Sequence, residues 1–144
     1  MIYMIFNSKQ GHDAFTMEDG GVFLWKEQNA FQVLKYVCIR CGSSYEGRRD
    51  AAKKLLHITQ KVPILVSERE RTLLFPTKRI KDPDCIWINY ATVVYTSRFQ
   101  TGTRIVFRNG KSIVTMCDIR GVDREMKLCE QLFALLAITS WNKV

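Results

Sequence analysis

No stretch of this sequence stays apolar for the roughly 20 residues that a membrane-spanning helix requires. The opening Met1-Ile2-Tyr3-Met4-Ile5-Phe6 is apolar but short, lacks a basic start and meets no small-residue cleavage site, so it reads as a strand rather than a signal peptide. Histidine is scarce: with only His12 and His57, acid–base catalysis has few candidates. Paired carboxylates at suggestive spacing are missing, and no Gly-x-Ser-x-Gly elbow exposes a nucleophilic serine. A Ser-His-Asp set drawn from Ser43 or Ser44, His57 and any aspartate has nothing in the sequence to bring it together. An enzyme is not expected.

The five cysteines, an odd number without regular spacing, argue against a secreted disulfide framework and make the cytoplasm the expected compartment. Cys38-Ile39-Arg40-Cys41 has the spacing of a zinc knuckle or redox pair, but a structural zinc site takes four ligands and Cys85, Cys117 and Cys129 stand alone. The segment also reads as a strand, which sends residues three apart to opposite faces. Neither a metal nor another cofactor is expected.

Basic charge is what the sequence has in surplus. Hydrophobic residues at 47% supply enough apolar surface for a core, and 144 residues fit one domain, 1–144. The net charge of +8 is not spread evenly: residues 1–40 carry four basic and four acidic side chains, whereas residues 41–81 carry ten basic and four acidic ones. A local surplus of six suits a polyphosphate partner, because neutralised phosphates release condensed counterions.

Strand signals dominate the chain. Residues 22–25 and 31–39 are rich in aromatic and β-branched side chains, and residues 62–66 and 71–75 read as two strands around a polar turn. Pro63 confines the first of that pair to an edge or a strand start. Residues 85–98 are long enough for one full strand, and Trp87 is expected in the core. Asn109-Gly110 predicts a two-residue type I′ hairpin. Helical spacing of Ala51, Ala52, Leu55 and Leu56 predicts a short basic-faced helix over 48–58. Val122, Met126, Cys129, Leu132, Phe133 and Leu136 mark a terminal helix, with Asp118 and Asp123 as candidate caps. The expected fold is α+β: a mostly antiparallel β-sheet with a short internal helix and a long C-terminal helix packed on it.

Gly42-Ser43-Ser44-Tyr45-Glu46-Gly47-Arg48-Arg49 mimics the spacing of a P-loop, yet arginines stand where nucleotide hydrolysis needs Lys and Ser or Thr. A Gly-rich loop opening a helix with arginines in its first turn still makes a general phosphate site. Arg48 and Arg49 lead the candidate contacts. Ser43 and Ser44 are placed to donate to phosphate, Tyr45 to wedge or stack at DNA, and Lys53 and Lys54 to reach phosphates. Lys78, Arg79 and Lys81 form a flexible basic loop bracketed by Pro76 and Pro83, and Lys111 sits at the hairpin tip.

The run from Cys38 to Arg49 also resembles the signature of the competence transcription factor family, ComK. The match continues at Thr59-Gln60-Lys61-Val62-Pro63-Ile64, Phe75-Pro76-Thr77, Cys85-Ile86-Trp87-Ile88 and Val106-Phe107-Arg108-Asn109-Gly110-Lys111. Collinear blocks cover about residues 22–140. The resemblance implies a bacterial activator of DNA-uptake genes that binds paired A/T-rich boxes as an oligomer, largely through the minor groove. Its implied partners are double-stranded DNA, further copies of itself and RNA polymerase, with no membrane. The chain departs from the family's usual residues at Cys41, Gln60, Asn89 and Tyr90. Longer relatives continue into a tail tied to activation and to recognition by the MecA adaptor for ClpC-dependent proteolysis, and this chain stops at Val144. Two other readings remain open: a regulatory paralogue acting as a protein-interaction module, and a non-specific nucleic-acid binder using aromatics beside basic residues (Tyr45, Phe75, Phe99, Phe107).

Overall fold

A computed structural model of the chain describes residues 1–136. The first three strands, β1 (Ile2–Asn7), β2 (Ala14–Glu18) and β3 (Gly21–Trp25), form an antiparallel meander. Two helices follow, α1 (Ala30–Arg40) and α2 (Tyr45–Leu56), and then β4 (Ile64–Ser67), β5 (Thr72–Pro76) and β6 (Trp87–Asn89). Strands β1 to β6 make one six-stranded antiparallel sheet in the order β3-β2-β1-β6-β5-β4. A single 3-10 turn at Tyr90–Thr92 leads to a separate three-stranded sheet, β7 (Val93–Phe99), β8 (Gly102–Phe107) and β9 (Ser112–Thr115), and to α3 (Ile119–Leu135).

The large sheet is buried on both faces because its inner strands alternate between two cores. Ile5, Leu74 and Trp87 face α1 with Val33, Leu34 and Cys38. Met4, Leu73, Phe75 and Ile88 face the second sheet and α3, meeting Ile105, Phe107, Val122 and Leu132. Helix α2 serves both sides: Tyr45 at its start belongs to the first core and Ala52 to the second. It packs on β4, so one edge of the sheet is covered. Pro63 directly precedes this edge strand, as its missing N–H requires.

The α+β architecture and the terminal helix match expectation, and three local readings need correction. Residues 31–39 are helical within α1, not a strand. Asn29 and Gln32 form a reciprocal capping box, and Ala30, Val33, Leu34 and Cys38 bury one face at helical spacing. The stretch 85–98 is two strands broken at Asn89, whose Oδ1 accepts from Ala91 N–H at 3.1 Å and turns the chain. The 109–110 hairpin is a three-residue loop: Gly110 N–H bonds Phe107 O at 3.0 Å, and only Gly110 has positive φ, at 83°. That is a type I turn closed by a glycine bulge, not a type I′ turn. Leu136 of the expected apolar stripe is exposed, and residues 137–144 of the expected domain lie outside the described residues.

Gly102, at the start of β8, is required by proximity: a Cβ there runs into the Thr115 carbonyl of the neighbouring strand. Gly102→Ala is expected to cost about 1–3 kcal/mol as β8 and β9 part. Chemical denaturation reads this, and a loss under 0.5 kcal/mol (about the noise for an unremarkable surface change) contradicts it.

Asp118 caps α3, accepting from Arg120 N–H at 2.8 Å. The apolar stripe of α3 also carries Glu125, only 3% exposed. Burial pushes its carboxyl up from the usual 4.5 to about 8, against the pull of Arg124 and Lys61. The folded chain thus holds this proton more tightly than the unfolded chain, so the stabilisation is complete below about pH 4.5 and is lost as pH rises toward 8. Stability is expected to fall by about 1–3 kcal/mol across that window, a figure discounted for the half-exposed Arg124 beside it. Glu125→Gln flattens the slope; urea melts between about pH 5 and pH 8 that show no difference from the parent rule it out.

Candidate nucleic-acid interface

The expected phosphate site is built where α1 hands over to α2. Ser44 is the N-cap of α2, its Oγ accepting from Gly47 N–H at 3.1 Å. The helix begins at Tyr45, so Arg48 and Arg49 lie in its second turn rather than its first. Glu46 is held below the usual carboxylate range first by its own backbone N–H and then by Lys35, whose Nζ is 3.3 Å away. These groups already serve amides at the helix start, leaving fewer donors for an external anion than the glycine spacing implies.

Arg48 is turned inward. Its Nη1 donates to Leu65 O of β4 at 2.6 Å, Nη2 to Cys41 O at 3.2 Å and Nε to Ser43 O at 3.5 Å. The guanidinium thus ties the α1–α2 connection to the sheet edge. Tyr45 is buried edge-on against Phe31, ring centroids 5.0 Å apart, and burial raises the pKa of its hydroxyl. Its ring supports the Arg49 guanidinium at 5.7 Å, while Arg49 also pairs with Asp50 at 3.1 Å. Ser43 is exposed. Arg49 and Lys53 stand four residues apart on one side of the helix, Lys53 half-buried and Lys54 exposed.

The basic loop after β5 is pinned rather than flexible. Cys117 Sγ donates to Thr77 O at 2.8 Å, Cys85 Sγ to Lys78 O at 3.3 Å, and Asp82 N–H to Arg79 O at 2.9 Å. Lys78 is half-buried with Nζ 4.0 Å from Asp84, and Arg79 and Lys81 are exposed. Lys111 is exposed in the β8–β9 hairpin, its N–H bonded to Asn109 Oδ1 at 3.0 Å.

Sequence reasoning missed two groups of cations. Arg120, Arg124 and Lys127 border a shallow groove along α3, which touches α2. Their spacing of four and then three, opposite the apolar stripe, was the available signal. Lys61 and Arg124 join Lys78 around a cavity at the start of α3. The two thiols of Cys38-Ile39-Arg40-Cys41 lie at the end of a helix, not on a strand, so the expected separation by strand alternation does not apply. Cys38 is wholly buried, which pushes its thiol up to about 11, and Cys41 is half-buried. Among the described residues, no group of three or more His, Cys, Asp or Glu side chains could hold a metal ion, and no helix is long and apolar enough to cross a membrane.

Comparison with known proteins bears on this surface. Over 86 residues the chain is 33% identical to the competence transcription factor of Bacillus subtilis (strain 168), an alignment spanning 57% of this chain and 43% of that relative. No solved structure matches it. A family model described as ComK protein matches residues 1–129, which takes in both cores except Leu132, together with α2 and most of α3. The chain belongs to the ComK protein family.

Proposed function

We propose that the chain acts as one DNA-binding domain, a cytoplasmic competence regulator that binds paired A/T-rich boxes as an oligomer, largely through the minor groove. The observation carrying this reading is the array of unpaired surface cations on a member of the ComK family. Lys53, Lys54, Arg79, Lys81 and Lys111 make no ion pair among the described residues. Narrow A/T minor grooves have enhanced negative potential and attract such side chains. Arg49, Lys53, Lys54, Lys78, Arg79, Lys81 and Lys111 contact DNA, and Ser43 adds a hydroxyl. Ser44, Tyr45 and Arg48 set the helix start that presents Arg49. Activation works through RNA polymerase, and the MecA and ClpC system is a partner that the resemblance implies through the tail of longer relatives. The curated relative is named a transcription factor, which is not an enzyme class.

Fluorescence anisotropy over a salt series tests the reading, with a duplex carrying two phased A/T boxes against a GC-substituted control. The expected result is a preference of about 10³ or more for the A/T duplex with a steep salt slope. The triple change Arg49→Ala, Lys53→Ala, Lys54→Ala is expected to flatten that slope. Equal, weak binding to both duplexes ends the proposal of sequence-selective regulation.

A second reading, a protein-interaction module, is favoured by the outer face of the three-stranded sheet. Tyr95, Phe99, Val114 and Met116 are exposed there around Arg104, and monomers rarely leave such apolar surface bare. A partner captured by this face alongside no DNA discrimination decides for that reading.

A further inference from the structure

Buried carboxylates are normally paired or hydrogen-bonded, and an unsatisfied one calls for an occupant. Glu125 breaks that rule on one side. Its Oε2 accepts from Arg124 Nη1 at 2.9 Å, whereas Oε1 is buried with no hydrogen-bond partner among the described residues. The same side chain borders a cavity of about 310 Å³ between the first turns of α3 and the end of β5. That size lies at the low end for small-molecule sites, about 300–1,000 Å³.

The cavity is chemically graded. Phe75, Pro76 and Val122 supply apolar walls suited to a flat ring. Lys61, Lys78 and Arg124 gather three cations at its border, with Arg124 half-exposed. Asp118, also on the border, is held by Arg120 and by the backbone of its own helix. Because burial keeps the Glu125 carboxyl largely protonated near neutral pH, an occupant must bring a hydrogen-bonding edge that can both donate and accept to the interior, and negative charge to the border. An amine alone meets three cations, and an inorganic anion alone leaves the apolar walls of Phe75, Pro76 and Val122 uncovered. A heterocycle with an N–H edge and a phosphate meets both demands.

We propose that this cavity binds a nucleoside monophosphate, with an amino or imino N–H of its base on Glu125 Oε1 and its phosphate among Lys61, Lys78 and Arg124. The site shares Lys78 with the DNA surface proposed above, whereas Glu125, Lys61 and Arg124 lie outside the proposed DNA contacts, so its ligand is read through those three residues. A nucleic-acid phosphate shares part of this chemistry, but a base stacked in duplex cannot enter the cavity.

Calorimetric titration of the full chain with the four ribonucleoside monophosphates, the matching nucleosides, inorganic phosphate and duplex DNA separates the sources. At least one monophosphate is expected to bind at least tenfold more tightly than its nucleoside and than phosphate, a gap of about 1.4 kcal/mol on each comparison. Glu125→Leu is expected to abolish that binding while raising the melting temperature, because the orphan oxygen is gone; a merely structural glutamate lowers it instead. Lys61→Ala, at the cavity border and outside the proposed DNA contacts, is expected to weaken the monophosphate toward the level of the nucleoside, and this serves if the Glu125 variant does not fold. Three outcomes overturn the proposal: no monophosphate binding at millimolar ligand, phosphate alone binding as well, or Glu125→Leu binding as tightly as the parent. Duplex affinity unchanged in Glu125→Leu keeps the cavity separate from the DNA surface.

Discussion

Asn89→Ala is expected to remove about 3–5 kcal/mol, a large part of the 5–15 kcal/mol that holds a domain of this size together. Asn89 is wholly buried where β1, β5 and the 3-10 turn meet. Its Nδ2 donates to Ile2 O at 2.7 Å and Arg71 O at 2.9 Å, and its Oδ1 accepts from Leu73 N–H and Ala91 N–H, both at 3.1 Å. Each such bond contributes about 0.5–1.5 kcal/mol net, but each partner left dry costs about 1–3. Alanine leaves all four partners without this side chain, and none can move without disturbing the ladder. Asn89→Asp is no rescue, since it loses both donors and buries a charge. Equilibrium urea unfolding gives the answer. A loss below about 1 kcal/mol for alanine would show that water replaces the amide at small cost.

The adjacent arginines at the start of α2 are expected to separate cleanly. Arg48→Ala costs about 2–4 kcal/mol of stability, because charge-assisted bonds to carbonyls are worth about 1.5–3 kcal/mol each and the donors to Leu65 O and Cys41 O both vanish. Arg49→Ala costs less than about 1 kcal/mol, as its partner Asp50 is exposed and surface pairs contribute little. In DNA binding the order reverses: Arg49→Ala loses about tenfold at low salt with one fewer phosphate neutralised, while folded Arg48→Lys keeps most of its affinity. Melting curves and anisotropy on both variants measure the two effects. Arg48→Ala with parental stability refutes the inward assignment, and Arg49→Ala with parental affinity removes it from the DNA surface.

These arginines also show where sequence reading stops. Their charge and the glycines before them were visible, and so was the basic helix they belong to. What they touch depended on β4, which follows α2 and returns along it so that Leu65 lies beside the Arg48 guanidinium. Helix α1 was misread because Phe31, Val33, Tyr36, Val37 and Ile39 favour strands by composition. The buried positions Ala30, Val33, Leu34 and Cys38 nonetheless keep a helical period, and Asn29 and Gln32 cap it. Spacing carried more information than residue type. The break at Asn89 was hidden for a different reason: a β-branched run on each side masks a single polar residue whose partners lie up to 87 positions away. By contrast α3 was legible for most of its length, since Val122, Met126, Cys129 and Leu132 recur at helical spacing, although Leu136 lies past the helix and is exposed.

The placement of α2 along β4 makes the six-stranded sheet one-sided. Arg48 occupies a carbonyl of β4 and the helix shields that margin, while β3 leaves Val22, Phe23 and Leu24 exposed at the other. A sheet open at both margins can add strands without end, the geometry of a fibre. With one margin closed, two copies meeting β3 to β3 about a twofold axis use up the available hydrogen-bonding groups of this sheet, and growth terminates at a pair.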